Sequence, residues 1–365
     1  MDTQRVAVAG ATGQVGRAVV AALRDSGHEV AELSRARGVD VLAGDGLDDA
    51  LAGADAVVDV LSTNATDPEE TVGFFTGTSD QLLAAEQRAG VRHHVLLSIV
   101  NVDAVTDNAH YLGKIAQEQR VQAGPVPWTI LRATQFHSFA EMVAAWTTAD
   151  GVAAVAPLLV QPVDVGDVAA VLAELAVGAP AGRAPDLAGP DTLDLVDMAV
   201  RTFAARGSGT TVRASWRDSP FGVSMAGEVL LPGPGARIGG TSFSDWLARD
   251  AGDPRSLATG YFESWVAHDF DRLRTLLADD ATFRGPLGTA DSGDECVAGL
   301  EAMSKMMTGL DITRMVVDGP DVMTWYDLLT TGTPPTPTVN WMHVEDGRIR
   351  RIRATFDPRA ILGGS

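Results

Sequence analysis

Three side chains that can transfer protons or bind anions stand together in the stretch "AHYLGKIAQE", residues 109–118. The chain has two lysines, Lys114 and Lys305, against 26 arginines, so a position that keeps lysine indicates a need for a compact ammonium. His110 and Tyr111 precede Lys114 by helical spacing, and a histidine can donate a proton near neutral pH. We therefore predict proton transfer around Lys114, with a surface lysine and a packed tyrosine as the alternatives.

A glycine-rich turn, "AGATGQVGRA", lies between an apolar strand pattern, "RVAVAGA", and a helical pattern, "GQVGRAVVAALRDSG". Residues without side chains let backbone N–H groups approach a pyrophosphate, and the helix N-terminus stabilises its charge. The alternative is a tight turn that binds nothing. We predict a dinucleotide-binding turn formed by Gly10, Ala11, Thr12, Gly13, Gln14, Val15 and Gly16.

The segment "AELSRARG", which follows the glycine-rich helix, bears on the choice of cofactor. A carboxylate after the second strand favours NAD, because it binds the ribose 2′-hydroxyl, whereas NADP requires a cation there. We expect Glu32 to lie inside the strand, with Ser34, Arg35 and Arg37 beyond it. A hydroxyl and guanidinium groups can bind a 2′-phosphate. We predict NADP(H) in preference to NAD(H), with solvated surface arginines as the alternative.

Alternating strand and helix patterns must position these side chains. Strands are predicted at "HEVAELS", "DAVVDVLS", "RHHVLLSIV" and "PWTILRA", and helices at "GLDDALAGA", "GTSDQLLAAEQRAG", "LGKIAQEQRVQAG" and "VGDVAAVLAELAVG". Strands separated by helices of this length predict βαβ units and a parallel sheet. The helical pattern around Lys114 begins at Leu112, so Tyr111 could lie in a loop that swings toward the lysine.

The motif "GATGQVG", followed in order by "GVDVLAGDGLDDALAGADAVVDVLS", "RAGVRHHVLLSIVNVD" and "PVPWTILRATQFHSF", resembles the short-chain dehydrogenase/reductase proteins. Within them it is most similar to the NmrA-like NAD(P)H-binding group, over about residues 4–247. The resemblance implies an α/β fold with a Rossmann-type doubly wound parallel sheet. It also implies that Asp45 lies near the adenine, that Leu61, Ser62 and Thr63 line the cofactor, and that Gln135, Phe136 and His137 approach the nicotinamide end.

The same resemblance implies a catalytic arrangement. In such proteins a Y-x-x-x-K motif supplies a lysine that binds the ribose and a tyrosine that transfers a proton, while a serine polarises the substrate carbonyl. Ser98 and Lys114 match, but His110 stands at the tyrosine position and Tyr111 is displaced by one residue. Two alternatives follow: an NADP(H)-dependent reductase of a small carbonyl or enone compound, and an NADP(H)-binding redox sensor without turnover.

The composition changes after "ARDAGDPRS", residues 248–256, which we predict to be a linker between domains spanning residues 1–250 and 257–365. Beyond it the patterns predict two helices and then antiparallel strands, with hairpin turns at "DGP" and "EDGR". The segments in order are "ATGYFESWVAHDFDRLRTLLADDATFRGPLG", "VVDGPDVMTWYDLLT" and "VNWMHVEDGRIRRIRATFDPRAIL". They resemble the SnoaL-like, NTF2-fold group, which implies a smaller α+β cone around an apolar cavity. Such a domain could hold or cyclise the substrate of a polyketide-type secondary metabolic enzyme.

Polar side chains on these strands are candidates for the cavity: Tyr326, Asp327, Asn340, His343, Asp291 and Asp357. Strand alternation places His343 on the same face as Trp341, and Asp327 on the same face as Trp325. We predict that His343 and Asp327 converge as an acid–base pair with shifted pKa values. A cyclase, isomerase or hydrolase with a structural Rossmann domain is then a third alternative. A packed core or a dimer interface is the non-catalytic interpretation.

Composition excludes several other classes of function. The net charge of −20 argues against nucleic acid and anionic membranes as partners. With Cys296 as the one cysteine and with dispersed histidines, we expect no disulfide within the chain and no metal site. The absence of a secretory pattern and of any 18-residue apolar run leads us to expect a cytoplasmic protein. A small-molecule substrate is expected, and a homodimer is one alternative for the oligomeric state.

Overall fold

The computed structural model describes residues 3–206 and 208–359. The described chain divides into two compact units: residues up to Arg201 with Thr210–Trp246, and Thr202–Gly209 with the chain from Leu247 onward. Parts of both predicted domains, residues 1–2, 207 and 360–365, lie outside the described residues. Each unit has its own hydrophobic core.

The first half of the chain alternates strands and helices as the sequence predicts. The elements are β1 Arg5–Ala9, α1 Gln14–Asp25, β2 Glu29–Leu33, α2 Leu47–Leu51, β3 Ala56–Asp59, α3 Pro68–Ala89, β4 His93–Ile99, α4 Ala109–Ala123 and β5 Trp128–Ala133. Short 3₁₀ helices span Arg35–Arg37 and Val102–Ala104.

Shorter elements follow, as the Gly- and Pro-rich sequence would suggest. They are α5 Phe139–Thr147, β6 Thr148–Ala149, β7 Val152–Val155, β8 Leu159–Val160, α6 Val165–Val177, β9 Gly182–Arg183, β10 Leu187–Ala188, β11 Leu193–Asp194, α7 Leu195–Ala205, β12 Thr211–Ala214, β13 Arg237–Ile238 and α8 Phe243–Ala251. Two further 3₁₀ helices span Val223–Met225 and Gly227–Leu230.

Eight strands of the first unit form one sheet in the order β13-β10-β5-β4-β3-β1-β2, with β9 beside β5. Every pairing in it is parallel. Successive residues of β1 face opposite sides: Val6 and Val8 pack with α1 and α6, whereas Ala7 and Ala9 pack with α2 and α3. Helices thus cover both faces, which confirms the predicted doubly wound parallel sheet.

Two helices begin earlier than their apolar patterns predict, because polar residues cap them. Asp67 accepts from the backbone N–H of Glu70, and Pro68 occupies the first turn of α3. Asn108 accepts from the backbone N–H groups of His110 and Tyr111 at the start of α4. Tyr111 is therefore helical, and the expectation of a loop that swings toward the lysine is wrong.

The second unit begins with the two predicted helices and has a largely antiparallel sheet, but a third helix, which the patterns did not predict, lies between two of its strands. Its elements are α9 Pro254–Ala267, α10 Phe270–Leu276, β14 Leu277–Gly285, β15 Gly288–Ala290, α11 Gly293–Ser304, β16 Met307–Asp318, β17 Asp321–Thr330, β18 Thr336–Glu345 and β19 Arg348–Thr355. The sheet order is β15-β14-β19-β18-β17-β16, and β14 runs parallel to β19.

Local chemistry explains the turns of this unit. Asp346 and Gly347 both have positive φ, +52° and +69°, as a two-residue hairpin turn requires, so the hairpin predicted at "EDGR" is confirmed. The predicted linker, residues 248–256, is mostly helical: it covers the end of α8 and the start of α9. Asp253 caps α9 by accepting from the backbone N–H of Ser256.

Candidate functional site

The glycine-rich turn leaves no room for side chains at the end of β1. A Cβ on Gly16 would stand 2.0 Å from the carbonyl oxygen of Gly10, and one on Gly10 would stand 3.0 Å from that of Val60. Gly10 also has a φ of +86°, which favours glycine. In the described chain, no side chain caps the start of α1, so its N–H groups are available to an anion. The turn fits a pyrophosphate.

The remaining residues of the turn divide into two groups. Ala11 and Val15 are buried in the core below the turn, and Thr12 and Gln14 are exposed at its surface. The side-chain amide of Gln14 donates to the hydroxyl of Ser138, 3.3 Å away. A dinucleotide would therefore meet the backbone groups of the turn and not a pocket of side chains.

The end of β2 lies beside this turn, since Leu33 pairs with Ala9. Glu32 lies within β2 as expected, and its carboxylate is 2.7 Å from the guanidinium of Arg24 and 3.8 Å from that of Arg37. Ser34 is buried, and its hydroxyl has no partner among the described residues. The Glu32 carboxylate is thus already paired with arginine, and a hydroxyl and an exposed Arg35 lie at the strand end.

Lys114 is 6 % exposed, so the alternative of a surface lysine is wrong. Its Nζ donates to the carbonyl oxygen of Leu97 at 3.0 Å, to Oε1 of Gln117 at 2.8 Å and to the carbonyl oxygen of Leu61 at 3.5 Å. It also lies 4.7 Å from the centre of the Phe75 ring. The ammonium is held between the carboxyl ends of β3 and β4, where a bulkier guanidinium would not have the same fit.

The electrostatics around this ammonium are unusual. Burial lowers the pKa of Lys114 to about 8, although the carboxylates of Asp59 and Glu118 oppose that shift. Asp59 is fully buried at the end of β3, where its Oδ2 accepts from Nε2 of Gln117 at 2.9 Å and its Oδ1 accepts from the backbone of Leu61 at 3.0 Å. Hydrogen bonds therefore run from Lys114 through Gln117 to Asp59.

The two candidate proton donors on α4 have different environments. Burial, together with the charge of Lys114, lowers the pKa of His110 to about 4, and its ring meets Phe75 edge-on. Burial also raises the pKa of Tyr111, although a hydrogen bond from Gln135 opposes that shift. Nε2 of Gln135 donates to the Tyr111 hydroxyl at 3.3 Å. The tyrosine is thus joined to the end of β5, and His110 is neutral at neutral pH.

Ser98 completes the group at the carboxyl edge. It is 3 % exposed on β4, next to the carbonyl that binds Lys114, and within the described residues its hydroxyl has no hydrogen-bond partner. Oε1 of Gln135 is likewise buried and unpaired in the described chain. The structure therefore places Ser98 of β4 and both Tyr111 and Lys114 of α4 near the carboxyl ends of neighbouring strands. The Ser98 hydroxyl and Oε1 of Gln135 are still available for a ligand.

Other predicted cofactor residues lie around this edge. Ser62 is exposed after β3, and Leu61 and Thr63 are half-buried, whereas Asp45 is exposed before α2. Phe136 packs partly against the core. His137 is buried, with its Nε2 3.1 Å from the carbonyl oxygen of Thr241 and its ring near Phe243 and Trp246, as a structural histidine would be.

The second unit does not assemble the predicted acid–base pair. The antiparallel register of β17 and β18 places His343 opposite Asp321 and Asp327 opposite Pro337. His343 hydrogen-bonds Asp321 at 2.8 Å. His343 and Asp327 share the outer face but lie at opposite ends of the paired strands, so the expected convergence is wrong. The neighbouring Trp325 is 56 % exposed, which confirms that this face points outward.

Two of the other polar candidates are also not in the interior. Asp291 and Asp357 are exposed and pair with Arg284 and Arg359. Tyr326 and Asn340 do lie on the inner face of the sheet. Three neutral atoms are buried there without a partner among the described residues: the hydroxyls of Ser264 and Thr324 and Oδ1 of Asn340.

An open groove of about 590 Å³ lies between α9 and β16 of the second unit. Its lining is mainly apolar and includes Phe262, Val266, Leu310, Ile312 and Met315. In residues 3–206 and 208–359 no group of His, Cys, Asp or Glu side chains is placed to hold a metal ion. No helix within the same ranges is long and apolar enough to cross a membrane.

Sequence reasoning missed Asp59, Phe75 and Gln117. Asp59 had a signal, because a carboxylate at the end of the buried strand "AVVD" requires a partner. Gln117 follows Lys114 by three residues on the same side of α4, so helical spacing could have found it. Phe75 had no such signal in the sequence, because its approach to Lys114 depends on how α3 packs against α4.

Comparison with known proteins agrees with both units. The NAD(P)H-binding family profile matches residues 10–177, and the profile of a SnoaL-like domain matches residues 258–352. A (4-alkanoyl-5-oxo-2,5-dihydrofuran-3-yl)methyl phosphate reductase of Streptomyces griseus is 34 % identical over 205 residues, which covers 52 % of this chain and 69 % of that protein.

Two solved structures resemble the first part of the chain in fold. MoeE5 in complex with UDP-glucose and NAD matches with a TM-score of 0.52 at 19 % identity, over 67 % of this chain and 96 % of that one. A short-chain dehydrogenase/reductase superfamily protein from Agrobacterium tumefaciens with bound NAD matches with a TM-score of 0.50 at 19 % identity, over 67 % and 95 %.

Proposed function

The chain belongs to the NAD(P)H-binding family and carries a SnoaL-like domain, and from this premise we propose that it is an NADP(H)-dependent reductase of a small carbonyl or enone compound. The observation that carries the proposal is the buried ammonium of Lys114, which binds the carbonyl oxygen of Leu97, while the hydroxyl of the next residue, Ser98, has no partner among the described residues. Burying an ammonium is costly, so its retention at the carboxyl ends of β3 and β4 favours a functional role.

Each group has a role in the proposed reaction. The nicotinamide, when bound, supplies a hydride. The glycine-rich turn binds the pyrophosphate, Lys114 binds the ribose hydroxyls, and Ser98 donates to the substrate carbonyl oxygen. The Tyr111 hydroxyl accepts a hydrogen bond from Gln135. Within the described chain this hydroxyl donates no hydrogen bond, so its hydrogen is available to the substrate.

The end of β2 supports NADP(H) rather than NAD(H). Glu32 is paired with Arg24, so its carboxylate is a poor acceptor for a ribose 2′-hydroxyl. Ser34 and the exposed Arg35 together provide a hydroxyl and a cation for a 2′-phosphate. We expect Arg35→Ala to raise KM for NADPH about tenfold and to leave KM for NADH unchanged. Arg92→Ala, at the amino end of β4, is the matched control.

The class of substrate is supported by both halves of the chain. The Streptomyces relative is named as a reductase of an alkanoyl- and oxo-substituted dihydrofuran that carries a methyl phosphate, and the carbonyl groups of that compound support a carbonyl or enone substrate. In the second unit, Ser264, Thr324 and Asn340 offer neutral donors and an acceptor inside an apolar core. Neutral polar groups of this kind suit the uncharged, oxygenated part of a polyketide-type compound. We propose that the SnoaL-like domain holds this substrate or cyclises it.

Turnover is the decisive test. The purified full-length chain should oxidise NADPH, measured at 340 nm, with at least one member of a panel of enones, quinones and ketones. Lys114→Met should lower kcat/KM for that activity about 10³-fold, whereas Lys305→Met should retain it. A chain that neither binds NADP(H) nor oxidises it with any compound of the panel would sink the proposal.

A second function, a redox sensor that binds NADP(H) without turnover, is supported by α4. Tyr111 is displaced from the family position and its pKa is raised by burial, and the lowered pKa of His110 keeps that residue from acting as an imidazolium donor. Calorimetry with both redox forms of the cofactor separates the two functions. A sensor should prefer one form strongly and show no turnover, whereas equal affinity contradicts this second function.

A further inference from the structure

The hydrogen bonds that connect Lys114 to Asp59 through Gln117 have a defined direction. Asp59 is fully buried at the end of β3, and Gln117 is fully buried one turn after Lys114 on α4. Gln117 donates its Nε2 hydrogen to Asp59 at 2.9 Å and accepts the Lys114 ammonium on Oε1 at 2.8 Å. Neither Asp59 nor Gln117 was assigned a role in the proposed reaction.

The chemistry of the carboxylate determines how the amide is turned. An ionised carboxylate can accept hydrogen bonds but cannot donate them, so Gln117 must present its NH₂ group to Asp59. Its carbonyl oxygen then necessarily points toward Lys114. The second carboxylate oxygen of Asp59 accepts from the backbone of Leu61, which fixes the carboxylate itself. The ammonium consequently meets an acceptor whose position is set by the end of β3.

We propose that Gln117 and Asp59 are positioning residues that hold the Lys114 ammonium at the carboxyl ends of β3 and β4, ready for the ribose of the cofactor. The inference rests on the proposed function for its purpose, but the positioning can be measured without turnover. It explains why a neutral glutamine, and not a second acid, stands beside the lysine: a carboxylate at residue 117 would repel Asp59.

Other charged groups also act on the ammonium. The carboxylate of Glu118 raises the pKa of Lys114, as Asp59 does, and the Glu118 carboxylate binds Arg132 at 2.6 Å. His110 is one turn earlier on α4, and its lowered pKa keeps it uncharged at neutral pH. Phe75, from α3, contributes a ring face and no charge. Gln117 is therefore the neutral side chain through which Asp59 orients the ammonium.

The two-lysine sequence allows a direct measurement. In full-length protein labelled with ¹³C at lysine Cε, only Lys114 and Lys305 give lysine signals, and Lys305→Arg assigns them. We expect Lys114 to titrate at about 8 in the wild type. Gln117→Leu should lower that value toward about 7 and raise KM for NADPH about tenfold with little change in kcat, because a hydrogen bond to the charged form is lost.

Three further variants distinguish positioning from a general loss of packing. Asp59→Asn lets the Gln117 amide turn round, so it should also lower the pKa of Lys114, and it keeps the shape of the side chain. Gln119→Leu makes the same chemical change on an exposed part of α4 and should leave the titration unchanged. Gln117→Glu restores an acceptor and adds charge, so it should raise the pKa of Lys114 again.

The outcomes are distinguishable from failure of the proposed function. If Lys114 titrates identically in the wild type, Gln117→Leu and Asp59→Asn, the positioning role is overturned. An equal shift in Gln119→Leu would overturn it as well, because the effect would then not be local. If the titrations shift as expected but the protein oxidises NADPH with no substrate, the positioning stands and the reductase proposal fails.

Discussion

The two units bury polar groups in opposite ways. The first unit buries charge: Lys114 and Asp59 are enclosed, and His94 and Glu86 form a fully buried pair 2.8 Å apart. Although burial lowers the pKa of His94, the Glu86 carboxylate raises it on balance. The second unit places its ion pairs, such as His343 with Asp321, toward the outer surface. Its interior contains neutral hydroxyl and amide groups.

This difference indicates two kinds of site. A buried charge is tolerated only where other groups satisfy it, and Lys114 accordingly meets three acceptors. Such a site is organised before any ligand arrives. Buried neutral atoms without partners cost less, about 1–3 kcal/mol each, and a ligand could recover that cost. We infer that the first unit is built for charge and proton chemistry and the second for holding an uncharged molecule.

The largest expected effect comes from removing the charge in the first unit. Lys114→Met preserves the length of the side chain but removes the ammonium, so kcat/KM for NADPH-dependent reduction should fall about 10³-fold. Lys305→Met, on the exposed surface, should change it less than twofold, as a rough limit for a surface substitution. If both variants were equally active, the buried charge would not be the feature that distinguishes the two units.

The glycine-rich turn gives the next largest effect. Gly16→Ala forces a Cβ to within 2.0 Å of a backbone oxygen, so it should lower the free energy of unfolding by about 3 kcal/mol and weaken cofactor binding. Gly73→Ala, within α3 and with nothing within 4 Å of the new methyl group, should instead stabilise the protein by about 0.5–1 kcal/mol. Urea denaturation of both variants measures this contrast in sign.

The buried ammonium also predicts how stability depends on pH. The pKa of Lys114 falls from 10.5 to about 8 on folding. Below pH 8 the group is charged in both states, and burial of that charge destabilises the fold. Between pH 8 and 10.5 the folded state loses the proton first, so the destabilisation is relieved by about 3 kcal/mol. The stability of the wild type relative to Lys114→Met should therefore rise across that interval. A difference that stays flat with pH would mean that Lys114 is not a desolvated ammonium.

The sequence predicted the framework better than the contacts. Glycine spacing, strand alternation and the hairpin turns are local signals, and each specified its element correctly. Lys114 lies on α4 and not at a strand end, so its expected place beside the cofactor came from the family resemblance and not from a local signal. Tyr111 was misjudged because a single Asn108 cap extended α4, which the apolar pattern does not register.

The failures in the second unit have a different cause. Alternation correctly placed His343 and Asp327 on one face, but it does not determine which residues lie opposite one another. The register does, and it sets His343 beside Asp321. The buried Ser264 and Thr324 could not be recognised as unpaired from sequence, because satisfaction of a hydroxyl depends on neighbours that are distant in the chain.

The smallest expected effect concerns the neutral groups that are buried without partners inside the second unit. Thr324 and Thr338 lie on adjacent strands and are each 1 % exposed, but their hydroxyls differ. The Thr338 hydroxyl donates to the carbonyl oxygen of Thr336 at 3.0 Å, whereas in the described chain that of Thr324 has no partner. Replacement by valine keeps the shape and removes only the hydroxyl.

Thr324→Val should therefore raise the free energy of unfolding by about 1 kcal/mol, and Thr338→Val should lower it by about as much. The stabilising change should also weaken substrate binding, seen as a higher KM for the substrate and an unchanged KM for NADPH. If both valines destabilised the protein equally, Thr324 would have a partner in solution. The interior of the second unit would then be an ordinary packed core. The two units would differ only in that the first one buries charged groups.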